Sequence, residues 1–321
     1  MRLGDQVLHV GGRAVALDVA GEGGQLCFVS HAHSDHTAAL KRGANIIASD
    51  ATLEIAHAVG AARVHSVDGL VYELLPAGHM LGSRQLRIEG DGGVFTYTGD
   101  MKMGPSLTAE EVIIKETDEL LIDATFGDPS ISFPERSELY DAIAKWVSGK
   151  YNEGKIVLLG AYSVGKAQEL VALLNRYCSI TPIVSERAER ACAAYEKFGV
   201  RLERACVGSE AAEELMRGGF VAILPIRKVD RELSVRVSRF YGREAVCAVA
   251  TGWAARMRFP TDAAFPLSDH ADFRGILEYI ELSWAKRVVT FGDGKALSSE
   301  LRKRGYDARA LGEEQARLGA W

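Results

Sequence analysis

The sequence predicts an α/β protein in which a β-rich host domain, residues 1–130 and 262–321, is interrupted by a parallel α/β insert over residues 131–261. Three observations carry that prediction. Short β segments cut by glycine turns fill the first 120 residues, strands and helices alternate from about residue 135, and one more helix, a strand and a helical tail follow "PTDAAFPLSDHADF". The early strands are "AVALDVA", "LCFVSHA", "NIIAS", "LVYELLPA", "QLRIEG", "GVFTYTGD" and "ELLIDATF". Several alternate apolar and polar residues, as half-buried strands do. The insert opens with the helical spacing of "ERSELYDAIAKWVSGKYNEG", the apolar strand "KIVLLGA" and the helix "KAQELVALLNRYC". It continues through "TPIVSE", "RAERACAAYEKFG", "SEAAEELMRGG", "FVAILP", "DRELSVRVSRFYG" and "EAVCAVATGW". Such alternation is the mark of βαβ crossovers onto a parallel sheet. The groove between insert and host is the natural place for a site.

Of the 321 residues, 47% are hydrophobic and 25% charged, a globular composition. No run approaches the ~18–20 apolar residues of a membrane-spanning helix. The first residues lack an apolar secretory core, so a cytoplasmic location is expected and no membrane partner. Five scattered cysteines, Cys27, Cys178, Cys192, Cys206 and Cys247, form no CxxC pair. They fit a reducing compartment and argue against a disulfide framework or a cysteine zinc site. The net charge of −5 offers no general attraction for a polyanion. Between residues 227 and 258, however, Arg227, Lys228, Arg231, Arg236, Arg239, Arg243, Arg256 and Arg258 stand against only Asp230, Glu232 and Glu244. A run like this is either a solvated helix face or a nucleic-acid surface.

Histidine is scarce, 8 in 321 residues, yet three fall between residues 31 and 36 in "VSHAHSDHTAAL". Neutral imidazole and carboxylate are the donors that Zn²⁺ and similar ions take. The cluster follows the apolar strand "LCFVS", and a strand-end loop can aim alternate side chains at one point. His31 and His33 could share one ion, while Asp35 and His36 face a second. Further ligands must come from elsewhere, and two loops offer them. His79 sits in "LLPAGHMLGS", and Asp100 ends "FTYTGD", well placed to bridge two ions.

"GAYSVGKA" reads G-x-x-x-x-G-K-A from Gly160, one hydroxyl short of a nucleotide-binding P-loop. Ala167 stands where a serine or threonine would hold Mg²⁺, so an ATPase is excluded. A helix N-terminus with Ser163 and Lys166 still suits an anion, or else the segment is only a tight glycine turn. "SDHADF" offers His270 as a proton donor, or simply a helix start capped by Ser268 or Asp269.

On these residues the chain resembles the metallo-β-lactamase-fold hydrolases. Their H-x-H-x-D-H motif is matched by His31, His33, Asp35 and His36, the later ligands by His79 and Asp100, and an early supporting aspartate by Asp18. "LIDATFGD" with Asp123, "GAYSVGKAQEL", and "PLSDHADF" with His270 are similar to the β-CASP nucleases, in which an insert caps the metal domain. Archaeal mRNA 3′-end-processing-type nucleases and short ligase-associated DNA exonucleases are the groups it looks like most. The resemblance implies an αββα metallo-β-lactamase sandwich carrying an inserted parallel β-CASP domain. It implies a zinc-dependent nuclease that hydrolyses RNA phosphodiester bonds with hydroxide generated on the metal, using one or two zinc ions, or manganese in their place. His31, His33 and His79 would hold the tighter ion, Asp35 and His36 the weaker, and Asp100 would bridge. Asp35, Asp123 and His270 would serve catalysis, with Asp123 orienting the water or His270, and His270 protonating the leaving sugar oxygen. Ser163, Lys166 and Arg256 would contact the bound RNA or single-stranded DNA. Homodimers are common among such proteins.

One element of the pattern is missing. RNA-cleaving members carry a further histidine on a late strand, where "KRVVTFGDGKAL" has Phe291 or Gly292, and no histidine follows His270. The second ion would then keep Asp35, His36 and Asp100, with water or Asp293 as substitute. DNA-cleaving branches commonly lack that histidine, so a DNA exonuclease of the ligase-associated type is the alternative. An inactive scaffold and a small-molecule hydrolase of the glyoxalase or lactonase type complete the alternatives, the last having no need of a phosphate-binding cap.

Overall fold

A computed structural model describes residues 2–4, 6–21, 25–42, 45–58, 72–90, 92–292 and 294–313. The chain opens with β1 (Arg2–Gly4), β2 (Val7–Val10), β3 (Arg13–Leu17), β4 (Leu26–Phe28) and β5 (Asn45–Ile47), adjacent in that order in one sheet. β1 to β3 form an antiparallel meander, and β3, β4 and β5 run parallel. Helix α1 (Asp50–Ala58) leads to β6 (Tyr72–Pro76), β7 (Arg84–Gly90), β8 (Gly93–Tyr97) and β9 (Glu119–Asp123) of a second sheet.

A third sheet follows. α2 (Arg136–Asn152), β10 (Ile156–Ala161), α3 (Lys166–Leu173), β11 (Ile183–Val184), α4 (Glu186–Glu196), β12 (Ala205–Cys206), α5 (Glu210–Leu215), β13 (Val221–Pro225), α6 (Arg231–Tyr241), β14 (Ala245–Ala250) and β15 (Ala263–Phe265) make a parallel sheet of order β12-β11-β13-β10-β14-β15. β10 and β14 are buried at every position, as unbroken apolar central strands of a parallel sheet should be. Ser185, Ser209 and Asp230 cap α4, α5 and α6 with side-chain oxygens, satisfying backbone N–H groups that each helix start leaves open. β15 still belongs to this sheet, so the insert runs past residue 261, where the sequence placed the return to the host.

α7 (Phe273–Leu282), β16 (Arg287–Phe291), α8 (Gly294–Lys303) and β17 (Asp307–Ala310) complete the second sheet, in the order β17-β16-β9-β8-β7-β6. The predicted helical tail is thus a helix followed by an edge strand.

The first two sheets pack face to face. Leu8, Val15, Leu17 and Phe28 of one meet Leu86, Ile88, Phe95, Tyr97 and Val289 of the other in a sealed core. α7 and α8 cover the far face of the second sheet through Ile276, Ile280, Leu297 and Leu301. On the far face of the first sheet, Ala16, Cys27 and Ile46 share one core with α1, the insert helices and Val157 and Leu159 of β10. A continuous apolar core therefore fixes the insert against its host, and the loops between them keep one geometry.

Candidate metal centre

β4, β6, β8 and β9 all deliver their C-terminal ends to one edge, since β6 is parallel to β8 through two antiparallel pairings and β9 is parallel to β8. Those ends carry the 31–36 loop, His79, Asp100 and Asp123; β15 adds the loop with His270. A cleft of about 670 Å³ opens there.

Four histidines, His33, His36, His79 and His270, line it, His31 is buried behind them, and each of the five is held by its outer nitrogen. His79 Nδ1 donates to the Asp269 carbonyl at 2.7 Å and His33 Nε2 to the Val164 carbonyl at 3.2 Å. His36 Nδ1 lies 2.8 Å from Asp18 Oδ2, and His270 Nδ1 lies 2.7 Å from Asp123 Oδ2. The Ser30 hydroxyl gives its proton to Asp18, which leaves its oxygen to accept from His31 Nδ1 at 2.9 Å. Asp18 also takes the Ser30 N–H at 2.7 Å and the Tyr97 hydroxyl at 2.8 Å, so one buried carboxylate anchors three sequence-distant elements. For His31, His33 and His79, fixing the outer nitrogen fixes the tautomer and turns the other nitrogen's lone pair inward, the arrangement that supports metal-bound histidines; the carboxylates that hold His36 and His270 orient their rings and also favour the protonated form.

The inner atoms converge. His31 Nε2 is 3.0 Å from His33 Nδ1 and 3.4 Å from Asp100 Oδ2. His79 Nε2 is 3.2 Å from His33 Nδ1 and 3.8 Å from Asp100 Oδ2. Four donors about 2.0–2.1 Å from a tetrahedral zinc lie roughly 3.4 Å apart, so the donor set and its spacing fit a zinc-type ion. Beside it, His36 Nε2 stands 3.5 Å from Asp100 Oδ2 and 3.7 Å from Asp35 Oδ2. That second group is looser, because the Asp35 side chain is 79% exposed.

Burial holds His31 and His79 well below the usual imidazole range and His33 at about 4, which keeps their lone pairs free at neutral pH. Burial also opposes charge on His36 and His270. The hydrogen-bonded Asp18 nevertheless brings His36 up to about 10, and Asp123 with Asp100 brings His270 up to about 9. Asp100, desolvated among these groups, is pushed up to about 6.

The structure brings together His31, His33, Asp35, His36, His79, Asp100, Asp123 and His270, and Ser163 lines the same cleft. The remaining sequence expectations meet different surroundings. Lys166 borders the cleft, but its charge is turned to an internal partner. Its side chain is 3% exposed, and Nζ is paired with Asp269 Oδ2 at 2.7 Å, off the axis of a well-formed hydrogen bond. Arg256 does not line the cleft; it reaches toward Asp128 at 3.6 Å. Nor does Ser268 or Asp269 cap a helix, since Asp272 caps α7 by accepting from the Gly275 N–H. Phe291 ends β16 opposite Asp123 and rests on Tyr97, while Asp293 falls outside the described residues. On the cleft wall stand Arg227, from the basic run the sequence singled out, and Tyr162, Arg187 and Trp253, which sequence reasoning missed. Arg227 opens the basic run that pointed there; nothing local marks Tyr162 or Arg187.

Two facing sheets with helices outside, and strand-end loops that could hold a metal, define a mixed α/β protein of metallohydrolase design. The chain belongs to the β-CASP family of the metallo-β-lactamase fold. No family model matches it. It is 34% identical over 310 residues to "Probable DNA ligase" of Opitutus terrae, a match covering 91% of this chain and 29% of that protein. Over 112 residues it is 32% identical to "RNase J-like protein" of Methanocaldococcus jannaschii, covering 34% of this chain and 27% of the relative. "5' exonuclease Apollo" of Gallus gallus is 24% identical over 279 residues, 82% of this chain and 57% of that protein. The chain thus spans less than two thirds of each of these relatives.

Proposed function

We propose that the chain is a metal-dependent nuclease that cuts single-stranded nucleic acid, DNA ahead of RNA. We read its architecture as an αββα sandwich, residues 1–130 and 266–321, capped by a β-CASP insert. The reading rests on one observation: five histidines have their outer nitrogens tied down while their inner nitrogens gather around Asp100. His31, His33, His79 and Asp100 would hold the tighter ion, and Asp35, His36 and Asp100 the looser one. A bound zinc-type ion would supply Lewis-acid charge on the scissile phosphate and acidify a water.

The chain's own groups do the rest. Asp123 keeps the His270 ring oriented and protonated, so His270 can give its Nε2 proton to the leaving sugar oxygen. Arg187 and Arg227, exposed on the cleft wall, would draw in the phosphates, while Tyr162 and Trp253 offer ring faces to bases. Such rings accept unpaired bases and not a stacked duplex, which supports a single-stranded substrate.

The likeness over nearly the whole chain to a protein named as a DNA ligase favours DNA, as does the absence of a histidine at Phe291 or Gly292. The likeness to an RNase J-like protein keeps RNA as the second reading. The test is cleavage of matched end-labelled DNA and RNA strands with Zn²⁺ or Mn²⁺, using wild type and His270→Ala. Faster cutting of DNA, with His270→Ala down about 100-fold or more, is the expected result. Preferential RNA cleavage would select the second reading, and hydrolysis of a lactone with neither polymer cut would overturn both.

A further inference from the structure

The P-loop-like turn of the insert, Gly160 to Lys166, keeps its lysine charge paired inside the protein, and its contacts point to a second role. Each of three groups in or beside it touches a support of the metal-site histidines. The Val164 carbonyl accepts from His33 Nε2 at 3.2 Å. Gly165, at φ +83, lets that carbonyl approach: a Cβ there would sit 3.4 Å from His33 Nε2 in a backbone conformation that side chains resist. Lys166 Nζ is 2.7 Å from the Asp269 carboxylate, and the carbonyl of the same Asp269 holds His79 Nδ1 at 2.7 Å. A second arm from the insert grips the next residue back, with Arg136 Nη2 bonded to the Ser268 carbonyl at 2.5 Å.

We infer that Lys166 is a positioning residue: through its buried pair with Asp269 it sets the loop carbonyl that aims His79 at the metal, so the insert completes a site whose ligands all belong to the host. The inference rests on the proposed metal site and goes beyond it. In a P-loop a lysine at this place meets a substrate phosphate; here an internal carboxylate takes that place. The bland alternative is that Lys166 merely neutralises a buried Asp269, and metal affinity separates the two.

Chelator-stripped protein would be titrated with Zn²⁺ against a chromogenic chelator, with folding followed by circular dichroism. Lys166→Met should weaken the tighter site by about 10–100-fold, the usual cost of losing a ligand's support. Lys166→Arg, which keeps the charge, should stay within about threefold of wild type. If Lys166 acts through His79, then in a His79→Ala background Lys166→Met should add less than about threefold, because the two losses share one cause. Wild-type affinity in Lys166→Met, or an equal fold-loss in both backgrounds, would overturn the inference. Should Lys166→Met fail to fold, Lys166→Met/Asp269→Asn leaves no unpaired buried charge; zinc affinity equal to wild type in that protein would overturn it as well. Absence of zinc binding in the unsubstituted protein would sink the metal reading itself, and this inference with it.

Discussion

His33 offers Nδ1 inward and Nε2 outward, the reverse of His31, His36 and His79. The difference follows from where each ring finds an outer partner, and only His33 reaches across to the insert. With no ion bound, these histidines contribute to the pH dependence of folding. His31, His33 and His79 are depressed below the unfolded imidazole value near 6.5, so the unfolded chain takes up protons that the folded one refuses as pH falls. Their contribution is complete above about pH 6.5 and is lost toward about 4, the value for His33. His36 and His270 are raised, to about 10 and about 9, so theirs is complete below about pH 6.5 and is lost as pH climbs through those values. Chelator-stripped protein should therefore show its highest melting temperature near pH ~6.5 and fall on both sides. Calorimetry across pH 4 to 10 checks this; a curve flat above pH 7 would mean that His36 and His270 lack their carboxylate partners. The convergence of the H-x-H-x-D-H side chains was legible because potential metal donors crowded at alternate positions after an apolar strand point to a common centre. The outer partners were not legible: Ser30, Tyr97 and the Val164 carbonyl carry no signal beyond ordinary sequence.

At the level of elements, the site is a set of strand ends, and glycine fixes how closely the loops approach. Gly78, one residue before His79, has φ +79, and a Cβ there would stand 2.2 Å from the Lys102 carbonyl oxygen. That contact is with backbone and cannot be relieved by a side-chain rotation. Gly78→Ala should destabilise the fold by about 1–3 kcal/mol and loosen His79; unchanged melting temperature and zinc affinity would show that the turn yields freely. The strands from "AVALDVA" to "ELLIDATF" were legible from alternation, and the insert from its strand–helix rhythm. β1, β2, β12 and β17 were not, because these strands of two to four residues are too short for a period to register without a distinctive apolar run or motif beside them. Lys166 was misread for a different reason. Its partner Asp269 lies 103 residues along the chain and meets it only after folding, and a motif read locally assigns such a lysine to a ligand.

Across the whole molecule, one apolar core joins the insert to the host, and the cleft between them takes its candidate metal donors from the host, its arginines from the insert and its aromatic rings from both. The fold class and the convergence of distant ligands were legible; the insert's contribution to holding those ligands was not, since it runs through backbone carbonyls and one buried ion pair. What would unite fold, site and family is the proposed metal at Asp100. The most direct test is the rate at which chelator-stripped protein cuts end-labelled single-stranded DNA as Zn²⁺ or Mn²⁺ is returned, beside Asp100→Asn. Cleavage absent from the stripped protein, restored by metal in wild type and not restored in Asp100→Asn, is the expected result. Cutting that persists without metal, or none by a protein shown to have bound it, would contradict the account.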